Sequence, residues 1–493
     1  MNGPDQASMR TLATEDRELI EDSLLRATES GCVRWIARVV EAEVEDALQC
    51  YAYAGDRDRF FWQRVEADEV FCAIGSVHEV ESDGPGRFSN VRDWARDCCA
   101  RVDWIGSSRP SSAPLFMGGF GFEDEMASTP DWKAFPAARF VLPELIVERR
   151  AGRSRWIMVA RVEPGVTLDS VEAALAARFD EAVAASSGPD PTSDAPLTHS
   201  NGPEYIVRAD RSHSKFQEQI RKALCEIDEG RMAKVVVARS LSVDHDAPFE
   251  VPAFLDRLRT MYPSCTLVAV GRAKDTFLAA TPEALVRLDG DAVESAALAG
   301  SAPRGRHPEE DQALGQALLE SPKENAEHAY VVSSIRKVLE SHCAEIEISA
   351  SPQLRQLVGI QHLETHVRGR LARRPNGPGG LDLLGLVEAL HPTPAVGGVP
   401  DENAATWLRR FGELDRGWYA APIGWLDQAG GGDFRVALRS ALIRNGLGPS
   451  GESGASRALL FAGAGIVTGS DPAQELVETR IKLRALLAPM TEI

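Results

Sequence analysis

SPKENAEHAYVVSSIRKVL, residues 321–339, and DPAQELVETRIKLRALL, residues 471–487, decide how this chain is read. Each opens on a proline preceded by a capping side chain, Ser321 before Pro322 and Asp471 before Pro472. Proline suits the first helical position because its missing N–H would go unpaired there, and a Ser or Asp oxygen before it can accept from the exposed donors of the first turn. One turn into each predicted helix stands a Glu-x-x-Glu pair, Glu324/Glu327 and Glu475/Glu478. Residues three apart share a helix face, about 5–6 Å apart at Cβ. Each pair is therefore a local cluster of two carboxylates, and the four together have the donor set of a divalent-cation cage. A structural role competes, since Ser321-x-x-Glu324 also fits a capping box and Glu478 with Lys482 an ordinary i,i+4 ion pair. Against it, Val331 and Ile335 continue the face of Glu324, Glu327 and His328, which points these acids toward the buried stripe. A buried carboxylate needs a cation or a proton.

Around these helices the chain has 493 residues, 44% of them hydrophobic, enough for a large core in one oversized α/β unit or in more than one domain. Lys plus Arg number 54 against 73 Asp plus Glu, a net charge of −19, and no basic stripe offsets it. That balance argues against a nucleic-acid partner. No apolar run approaches the roughly 20 residues that cross a bilayer, and the first residues offer neither a basic nor an apolar leader segment. A cytoplasmic enzyme without membrane contact is expected. The eight cysteines, at 32, 50, 72, 98, 99, 225, 265 and 343, show no Cys-x-x-Cys spacing and read as reduced packing residues.

The clearest break is AASSGPDPTSDAPLTHSNGPEY, about 185 to 205, a linker or long surface loop. It separates an N-terminal part, 1–190, from a region 200–490. Before it, FCAIGSV, PLFMGGFGF and the runs ARFVLPELIVERR and SRWIMVARV read as strands, the last two as a hairpin about Ala151-Gly152-Arg153. After it, MAKVVVARSLSV, DTFLAATPEALVRL, GDAVESAALAGSA, LVGIQHLETHVRG, FRVALRSALIRN and SRALLFAGAGIV are strand-rich.

Two apparent motifs fail. His362-Leu-Glu-Thr-His366 imitates a zinc pair, but in a strand that spacing spans over ~13 Å, too far for one metal. Gly463-Ala464-Gly465 followed by Gly469 imitates a dinucleotide loop, yet the chain ends within one helix and leaves no second strand. The glycines still allow bare backbone N–H groups to approach an anion such as a carboxylate. Arg439, Lys482 and His391, in the stiff segment HPTPAVGGVP, are further anion-recognition candidates. Lys234 leads directly into the apolar run VVVARS. There a desolvated amine can act as a general base, or a strand-end lysine can reach out to solvent.

KVVVAR, ATPEAL, LAGSAPRG, KENAEH, HPTPAVGG, GWYAAPIGW, FAGAGIV and ELVETRIKL, in this order across about 200–490, resemble the chorismate-utilising enzymes, and among them the isochorismate synthases most closely. The resemblance implies a large α+β fold in which antiparallel sheets, back-packed by helices, enclose one buried site, with residues 1–190 as its variable N-terminal part. It implies Mg²⁺ as cofactor, held by Glu327 and Glu478 with Glu324 and Glu475 behind them. Lys234 falls at the base that activates water and Glu283 at the acid that protonates the departing hydroxyl. Gly463, Ala464, Gly465, Arg439 and Lys482 fall at the groups holding the substrate carboxylates, with His391, Ala395 and Tyr419 about the ring. Within the family, Ala299 replaces the lysine nucleophile of members that make aminodeoxychorismate. Lys234 supplies a base that aminating members lack, and Ala395 stands where salicylate and anthranilate synthases tend to carry Thr. Water addition to chorismate, stopping at isochorismate, is the expected reaction, in a monomer or homodimer. A salicylate synthase, or an aminating subunit with a glutaminase partner, is the alternative. The GWYA form is more similar to menaquinone-pathway than to siderophore-pathway members.

Overall fold

The computed structural model describes residues 9–106, 113–125, 129–150, 152–187, 205–372, 382–446 and 455–491. Most of the expected linker, Ala151 of the expected hairpin turn and residues 447–454 lie outside them. The described residues form 23 strands in two sheets, one of 13 and one of 10. Every strand pairing is antiparallel except that of Arg34–Glu41 with Val102–Gly106.

Strands from both parts of the chain enter both sheets. In the larger one, Thr266–Arg272 pairs with Arg59–Arg64, Thr266 opposite Arg64. In the smaller one, Pro422–Asp427 pairs with Pro114–Phe120. Alternation along the strands builds two cores, as a side-chain period of two requires. Phe60, Trp62, Phe71 and Ala73 join Phe116, Phe120, Phe140 and Phe434 between the sheets. Phe61, Val70, Cys72 and Ile74 face outward, beneath Val171, Leu175 and Phe179 of the helix Leu168–Ser186 and Leu483 and Leu486 of the last helix, Pro472–Thr491. The expected arrangement, antiparallel sheets backed by helices, is the one observed. Cys50, Cys72, Cys98 and Cys265 are buried, whereas Cys32 and Cys225 are exposed. Among the described residues no helix is long and apolar enough to cross a membrane.

Three runs that read as strand in the sequence are cut in the middle, where the chain passes from one sheet to the other. ARFVLPELIVERR divides into Ala138–Leu142 and Leu145–Arg150, DTFLAATPEALVRL into Asp275–Thr281 and Ala284–Asp289, and FRVALRSALIRN into Gly432–Val436 and Ser440–Arg444. The first two cuts fall at Pro143 and Pro282, which have no N–H to continue a ladder. The third falls at Arg439, whose φ of +48° takes the backbone out of the extended region. Arg439 is thus on a bend and not inside a strand.

Candidate active site

The last two sheet crossings lie side by side. Thr281 Oγ1 donates to Val436 O at 2.6 Å, Val436 N to Glu283 O at 3.2 Å, and Ala280 N to Arg439 O at 3.0 Å. These bonds hold Glu283 and Arg439 on adjoining turns that border a cavity of about 80 Å³.

The acid helices reach the same cavity. Asp471 Oδ1 accepts from Ala473 N and Gln474 N, both at 2.9 Å, and Ser321 Oγ from Glu324 N at 3.4 Å, so both helices start where the sequence places them. Glu324 does not close a capping box. Its Oε2 accepts instead from Ser301 N at 2.9 Å, beside the bulge in the strand Ala292–Pro303. Glu327 Oε1 lies 2.8 Å from Lys234 Nζ, and Glu478 Oε1 lies 2.7 Å from Lys482 Nζ. Lys323 Nζ sits 3.2 Å from Glu324 Oε1 and 2.8 Å from Glu475 Oε1. Burial, then the charge of Glu478, lifts the Glu475 carboxyl to about 7, with Lys323 opposing. Burial also raises Glu324. It acts upward on Glu327 too, but there Lys234, Lys482 and Lys323 outweigh it and hold that carboxyl below its ordinary value.

Lys234 is completely buried at the start of Lys234–His245, so it does not reach out to solvent. It stands behind Glu327 and Gly465 rather than on the cavity wall. Its strand runs antiparallel to Ser456–Val467, with Val236 opposite Gly465. Gly463 and Gly465 face the cavity while Ala464, between them, turns its methyl into the inter-sheet core. A Cβ on Gly465 would lie 2.1 Å from Glu327 Oε1, and one on Gly463 3.0 Å from Tyr419 Oη. Ser440–Arg444 pairs with this strand only between Arg457 and Leu460. Beyond Leu460 no described strand takes that edge, which leaves its backbone beside the cavity. Lys482 Nζ donates to Gly463 O there at 3.0 Å.

Glu283 is 3% exposed, and burial lifts its carboxyl to about 8 against the pull of Lys234 and Lys482. It therefore holds its proton at neutral pH. Arg439 is 6% exposed, and its Nη1 has no hydrogen-bond partner among the described residues. A buried, unsatisfied guanidinium donor is costly unless an anion meets it. Tyr419, stacked on Phe461 with ring centroids 5.3 Å apart, and Ala395 complete this part of the wall.

Two histidines are placed differently from the expectation. His391 does not line the cavity: its Nε2 lies 3.2 Å from Phe122 O, and it borders a separate cleft with Phe88 and Phe122. The chain turns at Thr393, whose carbonyl accepts from Val396 N and Gly397 N, so only Ala395 and Val396 reach the cavity. Burial, helped by Arg87, keeps the His391 imidazole neutral, at about 3. The histidine on the cavity wall is His362, which the spacing argument sets aside as half of a false zinc pair. It lies in the strand Ile360–Leu371, cross-strand from Ser301, with Nδ1 3.0 Å from Ser301 Oγ. Burial, Lys482 and Arg439 all favour its neutral ring. Nothing in its local sequence marks it; the strand pairing does.

Among the described residues no three His, Cys, Asp or Glu side chains already converge as metal ligands. The donor set nevertheless fits a hard divalent cation, which takes carboxylate oxygens and keeps several waters. Four acids are gathered from two helix starts, Glu478 raises the carboxyl of Glu475 by repulsion, and the positive charge they require is supplied by lysines. Three larger clefts, of about 330, 540 and 290 Å³, lie elsewhere. In the first, Arg64, Arg287 and Arg435 already meet Glu69 or Asp433, so size does not mark the reactive site.

A cavity bordered by a protonated carboxyl, clustered acids and an arginine donor unpaired among the described residues, with a buried lysine behind it, has the chemistry to take a small anionic ligand. The chain belongs to the chorismate-binding enzyme family, which matches residues 22–491. It is 36% identical over 465 residues to the salicylate biosynthesis isochorismate synthase of Pseudomonas aeruginosa, covering 93% of this chain and 90% of that one. Isochorismate synthase MenF of Bacillus subtilis is 30% identical over 496 residues, 96% of this chain and 97% of the relative. The structure of MenF, the menaquinone-specific isochorismate synthase from Escherichia coli, superposes with a TM-score of 0.71 over 94% of this chain and 100% of that one. At 23% identity that likeness shows the fold.

Proposed function

We propose that this protein is an isochorismate synthase, adding water at C2 of chorismate as the C4 hydroxyl leaves. The observation that carries the reading is a carboxyl on the cavity wall that keeps its proton to about pH 8, with a fully buried lysine just behind that wall. Glu283 protonates the departing C4 hydroxyl, which leaves as water. Lys234 accepts a proton from the water that forms the new bond at C2, while the ring double bonds shift between the two carbons. Substrate and product have the same composition, so the proton gained by Lys234 and that lost by Glu283 balance through solvent. Arg439, Lys482 and the open backbone edge at Gly463 and Gly465 hold the two carboxylates. Tyr419 and the neutral His362 flank the ring. Glu327 and Glu478 would hold Mg²⁺, with Glu324 and Glu475 behind them. Bound there, the ion supplies positive charge beside the ring carboxylate. Glu327 meets Lys234 through Oε1, which leaves Oε2 to face an ion.

The test of where the reaction stops rests on Ala395. Salicylate forms only when the enolpyruvyl side chain is held folded over the ring, and the Ala395 methyl offers neither bulk nor a hydroxyl to hold it. Purified protein with chorismate and Mg²⁺, and no amine donor, is expected to give a chorismate–isochorismate mixture with little salicylate or pyruvate. Ala395→Thr should raise pyruvate release. Stoichiometric pyruvate from the native protein, measured with lactate dehydrogenase, overturns this and favours a salicylate synthase; turnover only with ammonia favours an aminating subunit.

Gly465→Ala probes the wall. The added methyl meets the flexible end of Glu327 and, at 3.1 Å, Lys234 Cε, so the fold should survive, but with a lower melting temperature because the buried Glu327–Lys234 pair is loosened. The displaced carboxylate and crowded cavity should cost about 100-fold in kcat/KM for chorismate. Near-native turnover would show that the bare backbone at 465 is not needed.

A further inference from the structure

Lys234 and Lys482 each touch one of the clustered acids and have roles in the reaction proposed above. Lys323 has none. It does not line the cavity, yet among the described residues it is the one side chain ion-paired to an acid of both helices, Glu324 of Pro322–His342 and Glu475 of Pro472–Thr491. The link spans 152 residues of sequence. Lys323 is 27% exposed and Glu475 2%, so the contact is partly shielded from water and is not an ordinary surface pair. Without a cation, the two acid pairs repel one another across the helix starts, and an ammonium between them offsets that repulsion.

We propose that Lys323 is a tethered counter-cation that holds the two acid helices together in the metal-free protein and thereby sets how tightly the site takes a divalent ion. The inference rests on the metal reading of the four glutamates. Lys323 acts through Glu324 and Glu475 and is a positioning residue, not a catalytic one. Its charge has two consequences of opposite sign. It stabilises the empty cluster, and it opposes an arriving dication by like-charge repulsion and by occupying oxygens of the supporting acids.

Calorimetric titration of magnesium chloride into chelator-treated, dialysed protein tests this, alongside melting curves in EDTA and in saturating Mg²⁺. Lys323→Met, which keeps the stem and removes the charge, should bind Mg²⁺ roughly tenfold more tightly. It should melt lower than native in EDTA and gain more from Mg²⁺. Lys323→Arg, which keeps the charge, should match the native protein in both measurements. Native or weaker Mg²⁺ affinity in Lys323→Met, an unchanged melting temperature in EDTA, or an Arg variant that behaves like the Met variant overturns the proposal. So does a Met variant that fails to fold even with saturating magnesium, since the lysine would then serve packing rather than charge. Folding of the Met variant only when magnesium is present supports it. No heat of Mg²⁺ binding to the native control sinks the metal reading itself, which is distinguishable from a native protein that binds and a Lys323→Met variant that does not differ.

Discussion

Glu327→Ala and Glu478→Ala are each expected to abolish conversion of chorismate, whatever the Mg²⁺ concentration. Each acid borders the cavity from its own helix, and each is balanced by a lysine, Glu327 by Lys234 and Glu478 by Lys482. Removing either takes away one of the two carboxylates proposed to hold the ion, which no water can replace in charge. Glu327→Ala has a second effect: it leaves the buried Lys234 without its counter-charge, a change that costs roughly 3–5 kcal/mol when a buried pair is broken. Its melting temperature should fall, whereas that of Glu478→Ala, at the more exposed end of the cluster, should change little. Turnover by the native protein in excess EDTA, or full activity of either variant there, would refute the metal assignment.

Glu283→Gln carries the second large expectation, a loss of about 100- to 10,000-fold in kcat/KM, the usual span for a general acid or base. Lys234→Ala should lose a comparable factor, and near-native turnover by it would remove Lys234 from the mechanism. The pH profile gives the sign. The acid works when protonated, and burial sets its value at about 8 in the folded protein, so kcat/KM of the native enzyme should fall as pH rises through about 8. Stability follows the same direction. Because the folded value lies above the 4.5 of a solvated glutamate, the folded state holds a proton that the unfolded chain has released, and its contribution to stability, complete below that lower value, is lost as pH rises through about 8. Glu283→Gln cannot ionise, so it should melt higher than the native protein at pH 8 to 9 while being far less active. A variant that is both inactive and less stable at that pH would point to a structural role for Glu283.

Much of the site is written in local pattern. Ser321-Pro322 and Asp471-Pro472 mark two helix starts, and the caps observed are those side chains. The apolar face shared by Val331 and Ile335 turns Glu324, Glu327 and His328 inward, and the structure finds His328 4% exposed. Period-two runs give most of the strands. Where the pattern misleads, long-range geometry is the reason. A run such as FRVALRSALIRN looks continuous because both halves bury alternate side chains, but the halves belong to different sheets. Neither the displacement of His391 from the cavity nor the arrival of His362 has a local cause: one follows from a turn at Thr393, the other from the pairing of Ile360–Leu371 with Ala292–Pro303.

The sequence by itself determined two helix starts, most of the strand runs, the two carboxylate pairs and the family, because capping, periodicity and motif spacing act between neighbours in the chain. Only the tertiary structure decided how charge is shared among them. Glu283 keeps its proton because strands from distant parts of the chain bury it, Arg439 has a donor without a partner among the described residues where the sheets cross, and Lys323 meets Glu475 across 152 residues. Desolvation and Coulomb energy depend on distance in space rather than in sequence, so the protonation states and ion pairs on which this chemistry rests exist only once both sheets have closed around the cavity.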